Sequence, residues 1–223
     1  MQFTIEHAPV FSTLRIQFEQ GEQFRAEAGA MVAMSPTVSL EAKSSGKGLF
    51  GTLKAAVGGE SFFASLFTAT EGPGEVVLAP GSPGDILRLD LQNETIFAQG
   101  GAYLAGAPDL EISAQGSIKA LVSGEGLFLS KITGSGPLFL NSFGSIVRKE
   151  LGAGEIYIVD SGHMVAFQGT VSYEVKKASR GIFSSLASGE GLVNHFRGPG
   201  TIWIQTRNLS PFAEMLGKFL IKT

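Results

Sequence analysis

Three glutamates are the residues best placed to act together: Glu60, Glu125 and Glu190, each following a glycine and each 65 residues from the next. They sit in Gly59-Glu60-Ser61-Phe62-Phe63, Gly124-Glu125-Gly126-Leu127-Phe128 and Gly189-Glu190-Gly191-Leu192-Val193. A fixed period of this kind marks an internal repeat. Brought to one axis, three equivalent carboxylates would present a ring of oxygens suited to a hard cation such as calcium or magnesium. The competing reading is that each glutamate repeats one local hydrogen-bonding job in its own turn.

Other chemistry finds little footing. The three histidines, His7, His163 and His195, show neither the i,i+4 spacing of a zinc peptidase nor a second ligand type beside them. No Gly-x-Ser-x-Gly elbow is present to aim a nucleophilic serine. Gly46-Lys47-Gly48-Leu49-Phe50-Gly51 lacks the Gly-Lys-Ser/Thr order of a phosphate loop, since Thr52-Leu53-Lys54 follows. With no cysteine there is no thiolate nucleophile, thiolate metal site or disulfide. The reading is a chain with no catalytic residues and no cofactor, and not an enzyme.

Basic and apolar side chains do recur together. Lys47, Leu49 and Phe50 precede the first Gly-Glu signature, and Arg180, Ile182 and Phe183 precede the third. Such mixtures suit a membrane surface or a protein partner, and a repeated arrangement would let weak contacts add on one face. The plainer expectation is apolar residues folded into the core with solvated cations around them.

The elements that would position these loops are short strands. Leu14-Arg15-Ile16-Gln17-Phe18, Leu87-Arg88-Leu89-Asp90-Leu91 and Ile156-Tyr157-Ile158 alternate as first strands with one buried face. Phe24 to Met31, Ile96 to Tyr103 and Met164 to Val171 follow as second segments, with glycines marking bends. Gly72-Pro73-Gly74, Gly134-Ser135-Gly136 and Gly198-Pro199-Gly200 turn the chain into last strands at Glu75 to Ala79, Pro137 to Asn141 and Thr201 to Gln205. One helix closes the chain: Ser210 caps it, Pro211 takes its first position, and Phe212, Met215, Leu216, Phe219 and Leu220 form an apolar stripe expected to dock on the β body.

Composition fits this picture. Hydrophobic residues make up 43% and charged residues 17% of 223, with 30 glycines and 17 phenylalanines, too apolar for disorder and too glycine-rich for a helical bundle. A net charge of −3 offers no global basic field, so no nucleic acid is expected. No 18-residue apolar run or basic leader occurs, and a cytoplasmic location is expected. Three repeats, 1–84, 85–152 and 153–223 with the helix, would each be marginal alone and should share a core. The expected fold is all-β, three sandwich-like repeats in a closed pseudo-threefold arrangement plus a C-terminal α-helix.

The order Gly48-Leu49-Phe50, Gly58 to Phe63 and Pro73-Gly74-Glu75, with the triplicate layout, resembles the altered-inheritance-of-mitochondria family along essentially the whole chain. That family, once catalogued as a domain of unknown function, belongs to the superfamily resembling the tryptophan RNA-binding attenuation protein. The resemblance implies three double-stranded β-helix-like domains in a closed arrangement, in bacterial soluble proteins and in a mitochondrial relative linked to inner-membrane organisation. It carries no catalytic residues, and the attenuation protein's ligand residues have no match here. The resulting expectation is a binding or scaffold protein, acting on a protein partner or membrane surface through its repeated loops and compatible with a homo-oligomer. The alternative is a small-ligand or cation-binding protein using the pseudo-threefold axis.

Overall fold

The computed structural model describes residues 1–44, 63–115, 129–177 and 192–220. The fold is mostly β with one short C-terminal helix. Its strands are β1 (Gln2–Glu6), β2 (Thr13–Phe18), β3 (Gln23–Glu27), β4 (Met31–Met34), β5 (Val38–Ser44), β6 (Phe63–Ala69) and β7 (Gly74–Leu78), then β8 (Ile86–Gln99), β9 (Tyr103–Gly106), β10 (Glu111–Gln115) and β11 (Leu129–Asn141). The series ends with β12 (Ile146–Leu151), β13 (Ile156–Asp160), β14 (Met164–Gln168), β15 (Ser172–Lys177), β16 (Leu192–Arg197) and β17 (Gly200–Gln205), followed by helix α1 (Leu209–Gly217).

All strand pairs are antiparallel, and one pairing order is met three times. In the first stretch β7 lies between β2 and β4, while β6 lies between β3 and β5. In the second, the C-terminal half of β11 lies between the N-terminal half of β8 and β9, and its N-terminal half between the rest of β8 and β10. In the third, β17 lies between β12 and β14, and β16 between β13 and β15. A register shift also recurs at one place, between Met31 and Ala33, opposite the step from Phe139 to Leu140, and between Met164 and Ala166. Each is a bulge that leaves one extra residue in the short strand, Val32, Leu104 or Val165.

Alternation works as the sequence suggests in β2, where Leu14, Ile16 and Phe18 are buried while Arg15 and Gln17 point outward. It fails in β13. Ile156, Tyr157 and Ile158 are all exposed, and β13 pairs with β16 as β3 pairs with β6, so it is not the counterpart of β2. That place belongs to β12, which pairs with β17 as β2 pairs with β7. The slip arises because period-two alternation identifies a strand but not its rank, and the turn between β12 and β13 carries its own glycines, Gly152 and Gly154.

The expected closure does not take the form of a barrel. The strands divide into a sheet ordered β1-β2-β7-β4, a long sheet running from β12 to β5, and a sheet ordered β13-β16-β15. Within the long sheet β9 joins β3, pairing Ala105 with Ala26, and β14 joins β8, pairing Ala166 with Ala98. These two junctions also share cores. Leu104, Ala105 and Phe139 pack into the cluster built on Leu14, Phe24 and Phe67. Val165, Ala166 and Trp203 likewise enter the cluster built on Ile96 and Ile132. The third cluster, around Leu151, Val159, Phe167 and Phe196, receives nothing from β2 to β7.

Helix α1 begins two residues earlier than expected. Asn208 caps it, its Oδ1 accepting from the Ser210 amide at 3.0 Å, which moves Ser210 and Pro211 inside the first turn. The expected docking is slight. Phe212 meets Phe143 at 5.2 Å between ring centroids, but Met215, Leu216, Phe219 and Leu220 remain exposed.

Candidate interaction surfaces

The residues singled out in the sequence lie outside the described residues: Glu60, Glu125 and Glu190, and Lys47, Leu49, Phe50, Arg180, Ile182 and Phe183. What is described is how their segments are anchored. Each joins two antiparallel neighbours, β5 to β6, β10 to β11 and β15 to β16. Among the described residues no group of three His, Asp or Glu side chains gathers as a metal site. His163 serves the backbone, its Nδ1 lying 2.8 Å from the Gln205 carbonyl.

Two surfaces stand out by exposure, the first of them not singled out by the sequence. One is the outer edge of β4 together with that of β13. Val32 is 59% exposed, whereas Leu104 and Val165, which hold the same bulge position in β9 and β14, are 0% and 1% exposed. Met31 and Met34 are exposed with it, and on β13 Ile158 is 55% exposed. Burying a side chain of this size is worth about 1.5–3 kcal/mol, so an isolated surface gains nothing from this concentration of apolar groups. The second surface is the apolar stripe of α1 and the turn after it, where Phe219 is 78% exposed.

Polar contacts hold both strand edges in place. Arg15 on β2 bridges Glu6 on β1 and Glu75 on β7, at 3.0 Å from its Nε and 2.8 Å from its Nη1. The side-chain hydrogen bond from Arg15 holds the Glu6 carboxyl below its ordinary range. At the other end Lys149 Nζ lies 2.8 Å from Glu155 Oε1 and 5.6 Å from the centre of the Tyr157 ring. That hydrogen bond lowers the Glu155 pKa and raises that of Lys149. Burial pushes the Tyr103 hydroxyl well above its usual value, and the hydroxyl donates to the Arg25 carbonyl at 3.2 Å across the first junction.

Among the described residues no helix is long and apolar enough to cross a membrane. The arrangement offers backbone edges and apolar faces, features that bind other surfaces.

Comparison with known proteins agrees over almost the whole chain. The family model described as mitochondrial biogenesis AIM24 matches residues 3–207. An uncharacterised protein of Streptococcus pyogenes serotype M6 is 37% identical over 229 residues, spanning 99% of this chain and 91% of that protein. The X-ray structure of a Streptococcus pyogenes protein superposes with a TM-score of 0.81 at 34% identity, covering 98% of this chain and 99% of the other. With the family match running from β1 to the end of the last strand, this chain belongs to the mitochondrial biogenesis AIM24 family.

Proposed function

We propose that the chain is a non-enzymatic binding and scaffold module made of three like units, each a pair of three-stranded sheets. The recurrent pairing order and the recurrent bulge support the triplication, and kinship with the attenuation-protein superfamily is part of the same reading. The units form an open row in place of a closed ring, and the module works in a cytoplasmic setting. The observation that carries the binding role is the exposed apolar C-terminus, Met215 and Leu216 on α1 and Phe219 and Leu220 in the turn that follows it, all left in solvent.

A protein partner suits this stripe better than a lipid surface. Helices that lie on anionic membranes carry several cations on the polar face, whereas the described part of this one offers Lys218 against Glu214. A groove accepting residues at i, i+3, i+4 and i+7 is the complementary shape.

The test is affinity capture from cells with the full chain and with a Phe219→Asp/Leu220→Asp variant. A partner held by the first and lost by the second supports the reading. Equal capture by both refutes it, and flotation of the full chain with anionic vesicles would transfer the role to a membrane.

A further inference from the structure

We propose that β4 of one copy pairs with β13 of a second copy, so that the chain assembles head to tail through a junction of the same kind as its two internal ones. The inference rests on the reading of three like units and is independent of α1.

The strands concerned are those whose counterparts are already occupied. β3 is paired by β9, and the corresponding part of β8 is paired by β14; β13, which holds the same rank, carries no neighbour on that side among the described strands. Conversely β9 and β14 each cover a neighbouring unit, while among the described strands β4 covers none. The row therefore ends in two different edges, each matching what the other lacks.

The side chains agree. At each internal junction a bulge residue, an alanine and a large residue enter the next core: Leu104, Ala105 and Phe139, then Val165, Ala166 and Trp203. The first unit has the same set in Val32, Ala33 and Val77, none of it buried. On the receiving side, Phe24 is wholly buried and meets Phe139 at 6.0 Å. Its counterpart Tyr157, opposite Phe196 as Phe24 is opposite Phe67, is left exposed.

The register follows from the internal pairs. Ala26 faces Ala105 and Ala98 faces Ala166, which sets Val159 opposite Ala33 of the second copy and Ile158 opposite its Met34. Joining two unlike edges makes a heterologous contact, which grows into a ring or a filament according to whether the rotation closes.

The experiment is sedimentation velocity of the full chain over a concentration series, with Val32→Lys and Ile158→Lys. Wild-type protein should associate, and each variant alone should associate at least about tenfold more weakly. Mixed in equal amounts, the two should form a dimer and nothing larger, because each keeps the edge the other has lost. A wild-type chain that stays monomeric throughout, or association that survives either substitution, overturns the proposal. Should a lysine variant misfold, Ala33→Cys/Val159→Cys on this cysteine-free chain decides the matter: mild oxidation should give a ladder of linked copies, Ala33→Cys/Ile156→Cys should not, and no ladder from the first pair overturns the pairing. A wild-type chain that stays monomeric while capture through its C-terminal helix is intact would count against this junction alone.

Discussion

The Arg25 guanidinium donates from Nη2 to the Leu110 carbonyl at 2.7 Å, fastening β3 to the loop that leads into β10. The same nitrogen reaches the Pro108 carbonyl and, at 3.4 Å, that of Ala107. Charge-assisted bonds of this kind outweigh neutral ones. Arg25→Ala should lower stability by about 2–3 kcal/mol, read as a fall in the urea midpoint, and Arg25→Lys should recover only part of it because the ammonium sits on a shorter side chain and is more strongly hydrated than a guanidinium.

Phe167 stacks on Phe97 with centroids 5.2 Å apart across the second junction and also meets Phe196 at 5.2 Å. Phe167→Ala should therefore cost about 3–5 kcal/mol. Chemical denaturation would show it. A cost below about 1 kcal/mol would mean that the junction repacks around the gap.

Gly84 has no room for a side chain: a Cβ there would stand 1.7 Å from the Ser142 carbonyl oxygen. Gly84 bridges Gly144, and its carbonyl accepts from the Ser12 amide at 3.1 Å. Gly84→Ala must push backbone against backbone and should destabilise by more than about 2 kcal/mol, visible as a drop in melting temperature.

Acid should weaken the contact that ties β1 to β2 through Glu6. The folded-state pKa of Glu6 lies below its ordinary value of 4.5 because Arg15 hydrogen-bonds the carboxylate. Its contribution is present above that ordinary value and is lost as the pH falls through the lowered one. Stability should thus decline on the acid side of pH 4.5. Glu6→Gln should flatten the slope of urea midpoint against pH there, and an unchanged slope would exclude the contact as a source of acid sensitivity.

Much of the fold could be read from residue patterns. The bends at Pro73 and Pro199 and the strands after them lie where glycine and proline punctuation puts them, since that signal depends on local backbone geometry; the expected turn at Gly134-Ser135-Gly136 is instead a register shift inside the continuous strand β11, whose pairing with β8 carries the chain straight on. The stripe of α1 was equally plain, but its docking was not, because periodicity reports which residues share a face and not whether anything covers it. The edges illustrate the same limit. Met31-Val32-Ala33-Met34 reads much like Tyr103-Leu104-Ala105-Gly106, yet one run is exposed and the other buried. The difference lies in the neighbour present beside each strand, a property of position in the row that no local pattern encodes. As for the glutamates and the basic loops, their spacing located three connections between paired strands and went no further toward a site.

Because β9 lends Leu104 and Ala105 to the core around Phe24, and β14 lends Val165 and Ala166 to the core around Ile96, the three stretches of the proposed repeat cannot melt separately without opening shared cores. Heating should therefore give a single calorimetric peak whose van't Hoff and calorimetric enthalpies agree, and three resolved peaks would show the units to be energetically independent. Cutting the chain between units should strand apolar surface on both fragments. The protein behaves on this view as one indivisible thermodynamic body, whose two end edges are left for a further copy to complete.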